Sequence, residues 1–307
     1  MKNFIDIDES RKITVSEYLE MVGDFGRRNA IDDMFYMAQA TLELMRQTFR
    51  TPVAVPDLLV QTTIRVGAEA LPWGVIVVTQ GMIDHCLNSN WPQANEVLGR
   101  DAPYVMGSNL VAQLGLAWVL AHEYTHVFRA HQQVEDELGK EFYVLRALEH
   151  DADLCAAGAI YRVIQRMYKE VMDDTAIRRY VVFILFWIIR SLPESNNGAG
   201  FHPSFSERLV QINFKLSQMV TLPTDELDDE CKLQITRDRA DAVRDAIIAC
   251  EQAYQALHGD TLSGNYFEAW LEYIEKRGHV AIVKDWERVS PYVQRHSGTL
   301  ADITPKG

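Results

Sequence analysis

Two histidines and a glutamate stand close together in the segment HEYTH, residues 122–126. On a helix, His122 and His126 share one face, because side chains four positions apart are neighbours. Two neutral imidazoles can hold Zn²⁺, and an adjacent carboxylate can take a proton from a water molecule on that ion. The segment therefore predicts a zinc site for hydrolysis with Glu123 as the general base. The alternative is a pair of buried histidines without a metal.

The third metal ligand is expected from a second helix. The spacing HExxHxxGxxH, which would supply a third histidine, is absent because Arg129 stands at the glycine position and Gln132 at the last position. The predicted helix over 141–169 instead carries Glu149 on its apolar stripe, with Asp153 one turn further on. Carboxylates on a buried face are costly without a cation. We expect Glu149 to be the third ligand and Asp153 to accept a hydrogen bond from a ligand histidine; the alternative is a pair of partly solvated carboxylates.

Several segments in chain order resemble those of a known group of metallopeptidases. HEYTH is followed by EHDAD at 149–153 and by HPSFSER at 202–208, in the order HExxH, ExxAD and HPxxxxR. The segment LPWGVIVVTQGMID at 71–84 resembles the turn and strand that precede HExxH in the same group. The chain is therefore similar to the HtpX/Oma/CAAX-prenyl-endopeptidase group of gluzincin zinc metallopeptidases.

This resemblance implies a zinc-dependent endopeptidase with a thermolysin-like helical core. It implies the roles that the residues themselves indicate: His122, His126 and Glu149 as zinc ligands, Glu123 as general base and Asp153 as a carboxylate that supports a ligand. It adds His202 and Arg208 as residues near the cleft that steady the oxyanion or the metal ligands. On the residues alone, His202 is equally well explained as a substrate-side donor or as a helix-entry residue before Pro203.

The longest apolar run of the chain is shorter than a transmembrane helix, and this suggests a second resemblance. Known members of the group often carry transmembrane helices, which need about 20 apolar residues. The run Tyr180–Ile189 has ten, so a buried core helix is favoured and contact with lipid is the alternative. The chain thus also resembles soluble HExxH proteins of the phage-exclusion protease Lit group, in architecture rather than through a shared motif.

Composition and charge restrict the function further. Acidic residues outnumber basic ones by 43 to 30, for a net charge of −13. A field of this sign disfavours binding to nucleic acid or anionic lipid. The four cysteines have neither metal-knuckle nor redox-pair spacing, and the N-terminus has no apolar leader. These features, with the short apolar run, predict a cytoplasmic protein without a transmembrane segment that does not bind nucleic acid. The resemblance to metallopeptidases implies a protein or peptide substrate as its partner.

Long helices dominate the predicted fold, which is mainly α with a small β-sheet (α+β). The chain is expected to divide into three regions: an N-terminal segment 1–30, a zincin-like metallopeptidase domain 31–215 and a helical C-terminal region 216–307. The strand Val75–Thr79 is either a sheet edge that pairs with an extended peptide or an ordinary buried strand. On the second helix of the site, His150 and Asp151 are expected at the surface.

The predicted function is hydrolysis of peptide bonds in a protein substrate by a zinc-activated water, with Glu123 as base. Two alternatives remain open. One is a latent protease that a regulatory partner, or a phage or stress signal, opens through the 191–203 loop or the helices after residue 230. The other is a non-catalytic binding module that keeps the zincin fold. Replacing Glu123 by glutamine separates these functions, because it removes hydrolysis and leaves binding intact.

Overall fold

The computed structural model describes seven ranges of the chain: residues 11–48, 54–71, 74–88, 108–192, 204–219, 228–258 and 266–297. Within these ranges it contains eleven helices and one four-stranded sheet. The predicted fold class, mainly α with a small β-sheet, is therefore confirmed. The division into three regions stays a prediction.

The sheet has the strand order β1-β2-β4-β3. Its strands are β1 (Lys12–Thr14), β2 (Asp57–Gln61), β3 (Ala68–Leu71) and β4 (Val75–Thr79). β4 pairs parallel with β2 on one side and antiparallel with β3 on the other. The interpretation of β4 as an exposed edge is therefore wrong, and the alternative of a buried strand is confirmed. Its unbroken run of valine and isoleucine suits a strand that is covered on both faces.

Three helices accompany these strands in the chain: α1 (Val15–Met21), α2 (Phe25–Arg46) and α3 (Gln80–Asn88). α1 contacts β1 and β2, and α3 contacts β4. A capping box starts α1, in which Thr14 accepts from the backbone N–H of Glu17 and the Glu17 carboxylate accepts from the backbone N–H of Thr14. The apolar face of α2 is buried against the helix that carries HEYTH. These contacts fix the sheet and the motif helix relative to each other.

The helices that carry the predicted ligands follow next: α4 (Ser108–Phe128), α5 (His131–Leu138) and α6 (Phe142–Tyr168). The sequence predicts one helix that ends near His131, whereas the chain leaves α4 after Phe128 and starts α5 at His131. The break lies at Ala130, whose φ of 54° is left-handed. This turn brings α5 back beside the end of α4.

The apolar run Tyr180–Ile189 forms the centre of α7 (Asp174–Ser191), and every residue of the run is buried. The predicted core helix is therefore confirmed. Arg178 of the same helix is fully buried, with its guanidinium bonded to Asp174 and to the carbonyl of Met219. Among the described residues, no helix is both long and apolar enough to cross a membrane.

Four more helices complete the described chain: α8 (Phe205–Gln218), α9 (Asp229–His258), α10 (Tyr266–Glu275) and α11 (Gly278–His296). The predicted helices over 233–257 and 265–277 correspond to α9 and α10. α11 packs against α5 and α6 through a small apolar cluster that is separate from the main core: Val134, Val144, Ala147, Leu148, Val289 and Val293. An ion pair adds to this contact, because Arg146 Nε lies 2.9 Å from Asp285 Oδ2.

Candidate active site

The C-terminal end of α4 presents both histidines of the HEYTH segment on one side. Their Nε2 atoms lie 3.3 Å apart. The helix before them is apolar almost all round, and every residue from Val111 to Ala121 is buried except Gln113. Such a helix is held by the core on every side, so it offers the two imidazoles as a fixed pair rather than as mobile surface groups.

Helix α6 brings Glu149 to this pair. Glu149 Oε2 lies 3.3 Å from His122 Nε2, and Oε1 lies 3.6 Å from His126 Nε2. One possible ligand atom of each of the three residues lies within 4.8 Å of the others, and this is the one such group found among the described residues. Two ligands at about 2.1 Å from a tetrahedral zinc ion are about 3.4 Å apart. The donor types and their separations therefore fit a zinc ion.

Asp153 and Arg208 hold the first histidine. His122 Nδ1 donates to Asp153 Oδ1 at 2.9 Å. Arg208 of α8 donates to the same carboxylate through Nε at 2.8 Å and Nη2 at 2.7 Å. Its guanidinium carbon also lies 5.2 Å from the centre of the Trp118 ring. Because Nδ1 is the donor to Asp153, Nε2 is the nitrogen that His122 turns toward Glu149.

The contacts of His122 change its charge state. Burial lowers its pKa, but hydrogen bonds and charge from Asp153 and Glu149 outweigh burial and raise the pKa to about 10. The pKa of Asp153 falls far below its usual range, because Arg208 and His122 overcome the opposing effect of burial. For His126, burial is the main cause of a pKa that is lowered to about 3. The pair therefore carries one positive charge near neutral pH in the protein without metal, and that charge is on His122.

A second chain of contacts holds the other histidine. His126 Nδ1 lies 2.9 Å from His131 Nδ1, at the start of α5. His131 Nε2 lies 3.1 Å from Asp151 Oδ2 on α6. Arg129 donates to that carboxylate through Nε at 2.8 Å and Nη2 at 3.2 Å. Burial opposes ionisation of Asp151, yet His131 and Arg129 lower its pKa to about 2.

The expectation that His150 and Asp151 lie at the surface is wrong, because their exposed fractions are 9% and 7%. Helix α6 is covered on more sides than its apolar stripe suggests, since α5 and α11 pack on it as well. The sequence does contain a signal for this burial. His131 and Arg129 could have been paired with Asp151 as possible partners of a buried carboxylate.

Arg208 lies beside the Asp153 carboxylate. Burial lowers the Arg208 pKa, but the Asp153 carboxylate, with smaller contributions from Glu149 and Glu123, raises it overall. Arg208 donates two hydrogen bonds to Asp153, through Nε and Nη2. Of its two predicted roles, the geometry therefore favours support of a metal ligand. His202 lies outside the described residues.

Tyr124, the middle residue of HEYTH, packs rather than faces the ligands. Its ring is fully buried, and its hydroxyl donates to the carbonyl of Ala54 at 3.2 Å. It also makes an edge contact with Phe128, at 5.1 Å between ring centres. The residue therefore ties the end of α4 to the segment before β2.

Comparison with known proteins places these residues in a family. The model of the family Peptidase U49 matches residues 64–221, which is more than half of the chain and includes α4, α6 and α8. Comparisons with curated proteins and with solved structures gave no match. The family match supports a protease of the Lit-like metallopeptidase type and does not single out the HtpX/Oma/CAAX group. The chain therefore belongs to the Peptidase U49 family.

Proposed function

We propose that this protein is a zinc-dependent endopeptidase of the gluzincin type that cleaves a protein substrate. His122, His126 and Glu149 are its metal ligands, and Glu123 is its general base. The observation that carries the proposal is the meeting of two imidazoles and one carboxylate, all within 4.8 Å of one another, at the end of a buried helix. The order of HEYTH, Glu149, Asp153 and Arg208 along the chain supports the finer comparison with the HtpX/Oma/CAAX group.

Zinc is the proposed metal because two histidines and one carboxylate form the donor set of many catalytic zinc sites. When bound, zinc polarises a carbonyl and lowers the pKa of a water molecule to about 7. The protein supplies the remaining steps. Glu123 takes the proton of the attacking water and later delivers it to the leaving amine. Asp153 and Arg208 fix the orientation of His122 and keep its Nε2 turned toward the other ligands.

The outer strand β3 is the proposed binding site for an extended peptide. β3 is the outer strand on the side of β4, and it packs against α4. The turn between these two strands lies beside α4, because Gly74, with a φ of 75°, is next to Val127. An edge strand beside a cleft can pair with an extended peptide through backbone hydrogen bonds. This placement supports a polypeptide as the substrate.

We also propose that residues 31–215 form the catalytic unit, with 1–30 and 216–307 as flanking regions, and that the protein acts in the cytoplasm. The support for the location is the acidic net charge of −13 and the four cysteines, none of which is in a disulfide: Cys86, Cys155, Cys231 and Cys250. A proposed role for His202 is to steady the oxyanion from the segment before α8.

A comparison of wild type with Glu123→Gln tests the proposed function. Each zinc-supplemented protein is incubated with a library of proteome-derived peptides, and new N-termini are identified by mass spectrometry. The wild type is expected to generate a reproducible set of new N-termini, and Glu123→Gln is expected to reduce the cleavage rate about 10²–10⁴-fold because the proton acceptor is lost. The variant should still bind zinc, since Glu123 is not a ligand.

Two results would count against the proposal. Equal cleavage by wild type and Glu123→Gln would assign the activity to a contaminant or to a different base. A zinc-loaded wild type that generates no new N-termini would reject an enzyme that is active without a trigger. It would favour the latent protease or the non-catalytic binding module.

A further inference from the structure

We infer that His131 is a positioning residue for His126, and that Asp151 and Arg129 hold His131 in place for this role. The inference rests on the proposed function, because it assigns a task to the side of His126 that faces away from the proposed metal. Arg129, His131 and Asp151 connect the end of α4, the start of α5 and the middle of α6.

The distances describe a continuous path from the ligand to a buried ion pair. His126 Nδ1 and His131 Nδ1 are 2.9 Å apart, and the two rings meet edge to face at an interplanar angle of 84°. His131 Nε2 is 3.1 Å from Asp151 Oδ2, and both Arg129 contacts reach the same carboxylate. His131 is 1% exposed. Its ring therefore has little freedom to leave this arrangement.

One arrangement of hydrogens satisfies every contact on the path. A metal at His126 Nε2 requires the lone pair of that nitrogen, so the hydrogen of the neutral ring is on Nδ1. His126 Nδ1–H then donates to His131 Nδ1. His131 carries its own hydrogen on Nε2 and donates it to Asp151. Since a metal-bound histidine usually donates its second N–H to an acceptor that fixes its tautomer and ring orientation, His131 is that acceptor for His126.

The surroundings of this path are rigid. Arg129 lies over the Trp286 ring of α11, with its guanidinium carbon 5.9 Å from the ring centre. The left-handed turn at Ala130 places Arg129 and His131 on opposite sides of the break between α4 and α5. Asp151 is on α6 two residues after Glu149, so the same helix carries a metal ligand and the anchor of the path. A displaced His131 would therefore release His126 without removing any ligand atom.

A purely structural role for His131 makes a different prediction. In that case the His131–Asp151 contact only joins α5 to α6, and its loss lowers the stability of the fold without changing the affinity for zinc. Positioning, in contrast, changes the affinity for zinc even in a folded protein, and a side chain with the same donor and acceptor restores it. Glutamine has these groups, because its carbonyl can accept from His126 and its amide can donate to Asp151.

The experiment measures zinc affinity by competition with a chromophoric chelator for wild type, His131→Phe, His131→Gln and the control His85→Phe. His85 is a partly buried histidine that contacts Ser191 at 3.0 Å, away from the ligands. Unfolding temperatures of the metal-free proteins and absorption spectra of the Co²⁺-loaded proteins are recorded in parallel. We expect His131→Phe to weaken zinc binding about 10–100-fold and to alter the Co²⁺ spectrum. His131→Gln should restore both, and His85→Phe should change neither.

Two outcomes overturn the inference: zinc affinity of His131→Phe equal to wild type, or equal losses in His131→Phe and His131→Gln. If His131→Phe does not fold, Asp151→Asn replaces it, because asparagine keeps the size of the anchor and removes its charge. Wild-type affinity in a folded Asp151→Asn then overturns the inference. A wild type that binds no zinc defeats the proposed function itself, whereas a zinc-binding wild type with an unaffected His131→Phe defeats only the role of His131.

Discussion

His122 and His126 lie one turn apart on α4, yet their Nδ1 atoms meet different groups. His122 contacts the Asp153 carboxylate directly, whereas His126 reaches Asp151 through the ring of His131. Hydrogen bonds and charge from Asp153 and Glu149 raise the pKa of His122 to about 10, while burial lowers that of His126 to about 3. The comparison teaches that hydrogen bonds to two carboxylates outweigh burial at His122, whereas burial dominates at His126, whose Nε2 lies 3.6 Å from Glu149 Oε1.

The two supports also differ in where their arginines come from. Arg208 lies on α8 and holds Asp153, and Arg129 lies after α4 and holds Asp151. Both carboxylates are on α6 and are separated by one residue, so they point to different sides of the helix. One side meets His122, and the other side meets the start of α5. The support for His126 therefore depends on the break at Ala130, and the support for His122 does not.

The largest effect is expected from breaking the direct support. Asp153→Leu leaves the mostly buried guanidinium of Arg208 without its carboxylate and His122 without its acceptor. Removal of one partner of a buried pair costs about 3–5 kcal/mol of the free energy of unfolding. Urea denaturation of the metal-free protein measures this loss. The double variant Asp153→Leu/Arg208→Met should recover part of the lost free energy of unfolding. If Asp153→Leu alone lies within about 1 kcal/mol of wild type, the Asp153–Arg208 pair is not important for stability.

A smaller effect is expected on zinc affinity, which should fall by different amounts when the Asp153 and Asp151 carboxylates are neutralised. Asp153→Asn and Asp151→Asn each keep the size of the side chain and remove its charge. Loss of such partners costs about 10–100-fold in metal affinity. We expect Asp153→Asn at the upper end of this range, because it touches a ligand, and Asp151→Asn at the lower end, because His131 intervenes. Chelator competition gives both values, and the reverse order would contradict the proposed difference between direct and relayed support.

The smallest effect concerns a single proton. In the metal-free protein His122 is protonated at pH 7, because its pKa is about 10. Zinc binding requires the neutral imidazole, so about one proton is released, and the affinity for zinc should rise about tenfold per pH unit near pH 7. Calorimetry in buffers of different ionisation enthalpy counts the proton. A binding enthalpy that is independent of the buffer would contradict the charge state assigned to His122.

The predictable part of the site has clear physical signals in the sequence. HEYTH fits a helical face, and Glu149 and Asp153 stand on a stripe of apolar residues four positions apart. The support for His126 had a weaker signal, because only the residue types of Arg129, His131 and Asp151 suggest that they pair. It depends on the helix break at Ala130, where the backbone adopts a left-handed φ of 54° that usually indicates glycine or asparagine. Helical periodicity alone therefore predicts that α4 continues to His131. A continuous helix would not bring His131 to Asp151, so this contact was not predicted.

The fold shows the same division. The apolar run of Tyr180–Ile189 predicted a buried helix, and α7 is one. In contrast, β3 has the sequence AEAL, which has little preference for a strand. The sequence therefore does not predict β3, the antiparallel partner of β4. Pro291 lies inside α11 and interrupts the pattern by which helices are recognised. Both elements are held by tertiary contacts that periodicity does not reveal.

The measurement that tests the central claim most directly is the metal content of the purified protein by elemental mass spectrometry, with His126→Ala and Glu149→Ala beside wild type. The account predicts about one zinc per wild-type chain, as a three-ligand catalytic site requires, and a loss or weakening of zinc in both variants. A well-folded wild type that contains no metal and takes up no added zinc would contradict it.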